Sequence, residues 1–134
     1  MNTLSIRCIR VALLCLVLGI GLGASFAVDR ALGATLRPLH AELNLWGYVT
    51  LLIYGMAYHM LPRFAGHPLR WVALATLQSW LAIGGVFVAS IGWLMHNSAQ
   101  QGRILLVGGG ILQFGAVVLF VLIIGELLVR PKRT

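Results

Sequence analysis

The sequence predicts an all-α integral membrane protein with four transmembrane helices. Of its 134 residues, 60% are hydrophobic and only 10% are charged, and the mean hydropathy is +0.94. A soluble domain of this size cannot bury so much apolar surface. At about 20 residues per crossing, the chain has room for about four helices with short links. We therefore expect one transmembrane domain over residues 1–134, with any site inside the membrane or at its faces.

Four apolar runs follow one another along the chain, with short links between them. The first run ends in "GASFA" and is also compatible with a cleaved signal peptide, but its length favours a retained helix. Pro62 follows the second run and Pro131 follows the fourth, as expected where helices end. The predicted spans are residues 8–28, 39–61, 71–95 and 104–129.

The basic residues divide unevenly between the two predicted sides of the membrane. Seven of the ten Lys and Arg residues share a side with both termini, and Arg30, Arg37 and Arg103 lie on the other. The positive-inside rule then predicts both termini in the cytoplasm, for a multi-pass protein of a bacterial inner membrane. The same flanking charges explain the net charge of +7. Because no basic run contains aromatic residues, we expect no nucleic acid partner.

The four histidines are the first candidates for function, because a polar side chain in a bilayer is costly without a partner. The predicted topology places His40 and His96 near the outer face, and His59 and His67 near the inner face. At about 100° per residue, one helix face carries His40 together with four polar or small residues. These are Asn44, Gly47, Tyr54 and Tyr58.

The third predicted helix has a matching face, in which small residues precede His96. Antiparallel neighbours would bring His40 and His96 to one depth, where two imidazoles could ligate a haem iron across a gap. Stripes of small residues usually indicate close helix packing, and this alternative stays open. The small residues are Ala82, Gly85, Ala89 and Gly92, preceded by Gln78.

Two further residues have two interpretations each. His59 lies about 28 Å from His40 along the helix axis, at a rise of 1.5 Å per residue, so the two cannot share a metal. His59 either forms a second, inner site with His67 or bonds a carbonyl or lipid head group. Arg37, one turn before His40, is placed to meet a haem propionate or serves only as a topology charge.

The remaining polar groups predict packing. Gln78 and Gln113 are expected to bond across helices at membrane depth. Glu126 and Arg130 form an i,i+4 pair near the inner face. Glu42 points away from His40, towards water or a neighbouring helix. A bond between Cys8 and Cys15 is not expected, and both are predicted to be small packing residues.

The segments "LRPLH", "NLWGY" and "YGMAYHMLPRF" lie within residues 36–64. Together they resemble the second helix of haem–copper oxidase subunit I, and more closely the small stand-alone relatives of that subunit. In that family the histidine matching His40 is an axial ligand of a low-spin haem, so the resemblance implies a haem b. This chain lacks the later helices that carry the other haem ligand and the copper ligands. Oxygen reduction by one chain is therefore not expected. Glu42 stands where small relatives often have histidine, so a second ligand on this helix is not expected either.

The resemblance also implies an assembly and a function. Oxidase subunit I is arranged as three four-helix arcs, so a chain that resembles one arc is expected to form a homo-oligomer, in the simplest case a trimer. The second iron ligand would then be His96 or a histidine of another protomer. The small relatives are associated with nitric oxide tolerance, which implies binding or removal of nitric oxide or a similar diatomic gas. Two alternatives stay open: a bis-His cytochrome b-type subunit that exchanges electrons with quinol, and a haem-free assembly or stabilising subunit.

Overall fold

The computed structural model describes residues 2–95 and 99–130, and this part of the chain is helical without any strand. Three helices are long and apolar enough to cross a membrane: α1, α4 and most of α5. The prediction of an all-α membrane protein is confirmed at this level. The elements in order are α1 (Thr3–Val28), α2 (Arg30–Glu42), a π-helix (Leu43–Thr50), α3 (Leu51–Ala65), α4 (Val72–Leu94) and α5 (Ala99–Val129).

The segment from α2 to α3 contains the predicted second span, and its middle is π-helical. A π-helix bonds each residue to one five positions away, which adds a residue to the turn. Thr50 follows the same spacing, since its hydroxyl donates to the carbonyl of Leu45 at 2.8 Å. The helix also runs past Pro62, which was expected to end it, and stops at Gly66. Gly66 has φ 77°, a left-handed conformation that favours glycine after a helix.

A single residue separates α1 from α2. The carboxylate of Asp29 accepts hydrogen bonds from the backbone N–H groups of Ala31 and Leu32, at 2.9 and 3.2 Å. Such an acidic N-cap satisfies donors that the first helical turn leaves free. Because of this cap, α2 begins at Arg30, well before the predicted span that starts at residue 39.

Helix α1 lies antiparallel to the π-helix and α3, and glycines bring them close together. A Cβ added to Gly47 would lie 2.7 Å from Cβ of Cys15, and one added to Gly55 would lie 3.2 Å from Cβ of Cys8. Both cysteines are free and almost fully buried in this interface. Their predicted role as small packing residues is confirmed.

Helices α4 and α5 form the most extensive helix pair in the bundle. A Cβ on Gly92 would lie 2.8 Å from the backbone nitrogen of Leu106, and one on Gly109 would lie 2.6 Å from that of Ala89. Small residues permit this approach of two backbones, as is usual for membrane helices. Of the two interpretations of the small stripe, close packing is therefore confirmed: the stripe meets α5.

Side chains from α3, α4 and α5 meet in the centre of the bundle. The hydroxyl of Tyr58 donates to Oε1 of Gln78 at 3.0 Å. The ring centroids of Tyr54 and Tyr58 lie 4.4 and 5.6 Å from that of Phe120. The amide of Gln113 donates to Oε1 of Glu42. The prediction that both membrane-depth glutamines bond across helices is confirmed.

Arg7 joins α1 to α4 at the end of the bundle opposite His40. Its guanidinium donates to the hydroxyl of Ser79, and its Cζ lies 4.3 Å from the ring centroid of Trp80. The cation therefore interacts with an aromatic face, where such contacts are attractive.

The α4–α5 interface predicts opposite effects for two neighbouring glycines. Gly109→Ala places a methyl group against the backbone of α4 and should lower the free energy of unfolding by about 1–3 kcal/mol. Gly110→Ala meets open space and should be neutral or stabilise the helix by up to about 1 kcal/mol. Thermal unfolding of both variants in mild detergent measures the difference. Equal melting temperatures would contradict the packing described here.

Candidate outer-rim histidine site

His40 lies near the end of α2, with its half-buried ring against α1. The contact surface on α1 is glycine: a Cβ on Gly23 would lie 2.6 Å from Cε1 of His40. Phe26 completes the setting with an edge-on contact, its ring centroid 5.7 Å from that of His40. The ring is therefore held by its neighbours in one orientation.

The hydrogen bonds of His40 determine which ring nitrogen carries the proton. Nδ1 lies 2.8 Å from the carbonyl oxygen of Gly19. Because a carbonyl only accepts, Nδ1 must carry a hydrogen and donate it. The side-chain nitrogen of Asn44 donates to the backbone carbonyl of His40 at 2.8 Å, so its 3.3 Å approach to Nδ1 is a contact between two donors. In the neutral ring, this leaves the lone pair of Nε2 free.

This arrangement is the one that a metal-ligating histidine uses. Such a ring donates one N–H to a carbonyl or carboxylate, which fixes its tautomer and orientation, and it ligates through the other nitrogen. Here Gly19 supplies the carbonyl and Nε2 is the available ligand atom. The residues around His40 therefore fit a role for His40 as a single ligand to iron.

The other residues predicted to share the His40 face are only partly brought together. Asn44 touches His40, whereas Gly47 is filled by the side chain of Cys15 and leaves no room for a macrocycle. Tyr54 packs on Phe120 of α5 and belongs to the core cluster that also contains Ala12 of α1. Gly55, one residue further on, also faces α1.

Of the other predicted residues, Arg37, His59 and His67 make no contact with His40 in the described part of the chain. Arg37 is exposed, one turn before His40. His96 lies outside the described residues. His59 is half-buried near the far end of the same helical segment, and His67 bonds instead to the carbonyl of Arg130. No group of three or more His, Cys, Asp or Glu side chains comes together anywhere in residues 2–95 and 99–130, and the second, inner metal site stays a prediction.

The pairing of Glu42 with Gln113 was not foreseen from the sequence. Glu42 is only 9% exposed and lies between α2 and α5, where the Gln113 amide donates to it. The sequence contained one indication of this pair: a carboxylate and an amide, Glu42 and Gln113, lie on two predicted spans and had no assigned partner. Since Glu42 faces α5 and His40 faces α1, the two side chains cannot hold one metal together.

Comparison with models of protein families, with curated proteins and with solved structures finds no match to this chain.

The glycine surface under His40 is testable without any cofactor. In Gly23→Ala the new methyl group must displace the imidazole and break its bond to Gly19, so His40 should react faster with diethyl pyrocarbonate. The lost hydrogen bond should cost about 1 kcal/mol of stability. Gly21→Ala, on the same helix, meets open space and serves as the control. Mass spectrometry of the modified histidines measures the rates, and equal rates in both variants would refute this contact.

Proposed function

We propose that this chain crosses a bacterial inner membrane four times, with residues 30–65 as the crossing additional to the three apolar helices. Large apolar side chains on the surface of this segment support the proposal: Leu45 is 60% exposed and Ile53 is 54% exposed. Exposed apolar side chains of this kind are favourable in contact with lipid tails. The excess of basic residues on the side of both termini supports a cytoplasmic location for the termini.

Within this membrane protein, His40 would bind the iron of a haem b. The observation that carries this proposal is the hydrogen bond from Nδ1 to Gly19, which presents Nε2 as the free ligand atom. Gly23 and Phe26 orient the ring, and Arg37 is exposed one turn away, where it can meet a haem propionate. The haem supplies an iron that binds diatomic gases when it is ferrous and has an open or labile position.

The small residues of α4 do not line an open gap in front of His40, as the sequence suggested. That stripe is occupied by α5, and a Cβ on Gly92 would already collide with Leu106. A macrocycle between α2 and α4 of one chain therefore has no space among the described residues. The second iron ligand is then His96 of the same chain or a histidine of another copy. The latter case would require a homo-oligomer, such as the trimer that the resemblance implies.

The function that follows is binding or removal of nitric oxide or a similar small gas. An apolar gas partitions into the lipid, and His40 lies in a helix at the membrane rim. The chain's own contribution is to hold one ligand nitrogen rigidly. A bis-His site with two firm ligands would instead carry electrons to or from quinol and would not take up gas.

A haem-free assembly or stabilising subunit is the second candidate, and one observation favours it. Side chains of the opposite helix already occupy the space above the glycines between α1 and the segment from the π-helix to α3, namely Gly19, Gly23, Gly47 and Gly55. On this alternative, His40 is a packing residue that satisfies its own N–H on Gly19.

A reduced-minus-oxidised absorption spectrum of protein purified from haem-sufficient cells, before and after nitric oxide, tests these functions. The wild type should show haem bands that shift with the gas. His40→Ala should lose at least about tenfold of its bound haem, because one axial ligand is missing. His59→Ala, on the same helical segment about 28 Å away, should keep its haem.

Each outcome of this experiment selects one function. Sharp low-spin bands that ignore nitric oxide would select electron transfer. A well-folded wild type without haem would overturn the proposal and select the assembly role. Haem loss in His96→Ala would assign the second ligand to that residue, whereas haem retained by this variant in an oligomer would assign it to another protomer. A monomeric mass in mild detergent would exclude the trimer.

A further inference from the structure

A basic pocket opens at the end of the bundle opposite His40, between the α3–α4 loop and the end of α5. It encloses about 380 Å³ and is lined by His67, Pro68, Arg70 and Arg130. Three of these four residues are basic or titratable to a cation. By the charge distribution in the sequence, this is the cytoplasmic face.

His67 is the most buried member of the pocket, with only 8% of its surface exposed. Its Nε2 lies 3.3 Å from the carbonyl of Arg130 and must donate to it, since a carbonyl only accepts. Its Nδ1 is buried without a partner among the described residues. Because Nε2 carries the hydrogen of a neutral ring, Nδ1 offers an N–H to an anion only in the imidazolium form, in which both ring nitrogens donate.

The two arginines differ in how far their charge is compensated. Arg130 forms a salt bridge with Glu126 at 2.6 Å, through Nη2, and its Nε donates to the same carboxylate. Its Nη1 has one long contact, 3.5 Å, to the carbonyl of Pro68 and is available to an additional acceptor. Arg70 is exposed and forms no ion pair with any residue in the described part of the chain. The pocket is therefore positive, mainly through Arg70.

Two apolar grooves adjoin this pocket, one beside each arginine. The first shares Arg130, encloses about 250 Å³ and runs between α3 and α5 past Phe64 and Leu128. The second shares Arg70, encloses about 570 Å³ and runs between α4 and α5 past Trp71 and Leu122. The walls are open to the membrane, since Phe64 is 68% and Leu122 is 55% exposed.

We propose that this pocket is a specific site for an anionic phospholipid, with its phosphate beside Arg70, His67 and Nη1 of Arg130 and its acyl chains in the two grooves. Arginine forms its strongest hydrogen bonds with phosphate oxygens. Basic pockets between helices at a cytoplasmic surface select acidic head groups. Free phosphate would neutralise the basic pocket but would leave the two apolar grooves empty. The two apolar grooves leading away from one basic pocket match a two-tailed lipid and not a soluble anion.

Lipid exchange into nanodiscs tests this site on the full-length protein. Native mass spectrometry counts the lipids retained from equal mixtures of phosphatidylglycerol and phosphatidylcholine. The wild type should retain phosphatidylglycerol preferentially. Arg70→Gln should weaken this retention about fivefold, the value of one basic residue at a membrane surface. His67→Gln should also weaken it. Arg10→Gln removes one exposed charge on the same predicted face, away from the pocket, and should have no effect.

The competing explanations give different results. Equal retention of the two lipids by the wild type would overturn the proposal. An Arg10→Gln effect as large as that of Arg70→Gln would show diffuse surface charge instead of a site. Loss of retained phosphatidylglycerol on addition of inorganic phosphate would show a soluble anion site without a lipid requirement. Because the readout needs no haem, it stands or falls separately from the role proposed for His40.

Discussion

Close contact between helices at glycine is the constraint on which the rest of this structure depends. Lipid tails are as apolar as leucine, so membrane helices gain little from hiding apolar side chains from one another. They associate through close packing and hydrogen bonds instead. Glycines on α1, the π-helix and α3 set the distance between the first two helical segments, and glycines on α4 and α5 set that of the last two. The position of His40 on Gly19 and Gly23 follows directly from the first of these interfaces.

Much of the helical architecture follows from composition and local pattern. Long apolar runs predict helices, and the membrane-depth glutamines, the Glu126–Arg130 pair and the buried cysteines were all anticipated from their types and spacing. These features depend on single residues or on neighbours within one helix. The helical segment extends beyond the predicted span of residues 39–61 at both ends, because an Asp29 cap and a Gly66 cap decide where the helices begin and end.

The grouping of the candidate site could not be predicted in full, for two physical reasons. A regular helical period places Tyr54 on the same helix face as His40, but the π-helix between them departs from that period. No single residue type predicts a π-helix. Its formation depends on how the segment packs against its neighbours. A stripe of small residues also shows that some helix comes close without showing which one. For the α4 stripe the partner is α5, so the gap expected in front of His40 is closed.

One hydrogen bond, from Nδ1 of His40 to the carbonyl of Gly19, holds the ring and frees Nε2. Nitrogen-15 NMR of histidine-labelled, haem-free protein in detergent reports the protonated nitrogen of each ring, and a His40→Gln sample identifies the signal. In the neutral ring of His40 the proton should be on Nδ1. A proton on Nε2 would contradict this prediction, because Gly19 would then lack its donor and the proposed iron ligand atom would be blocked.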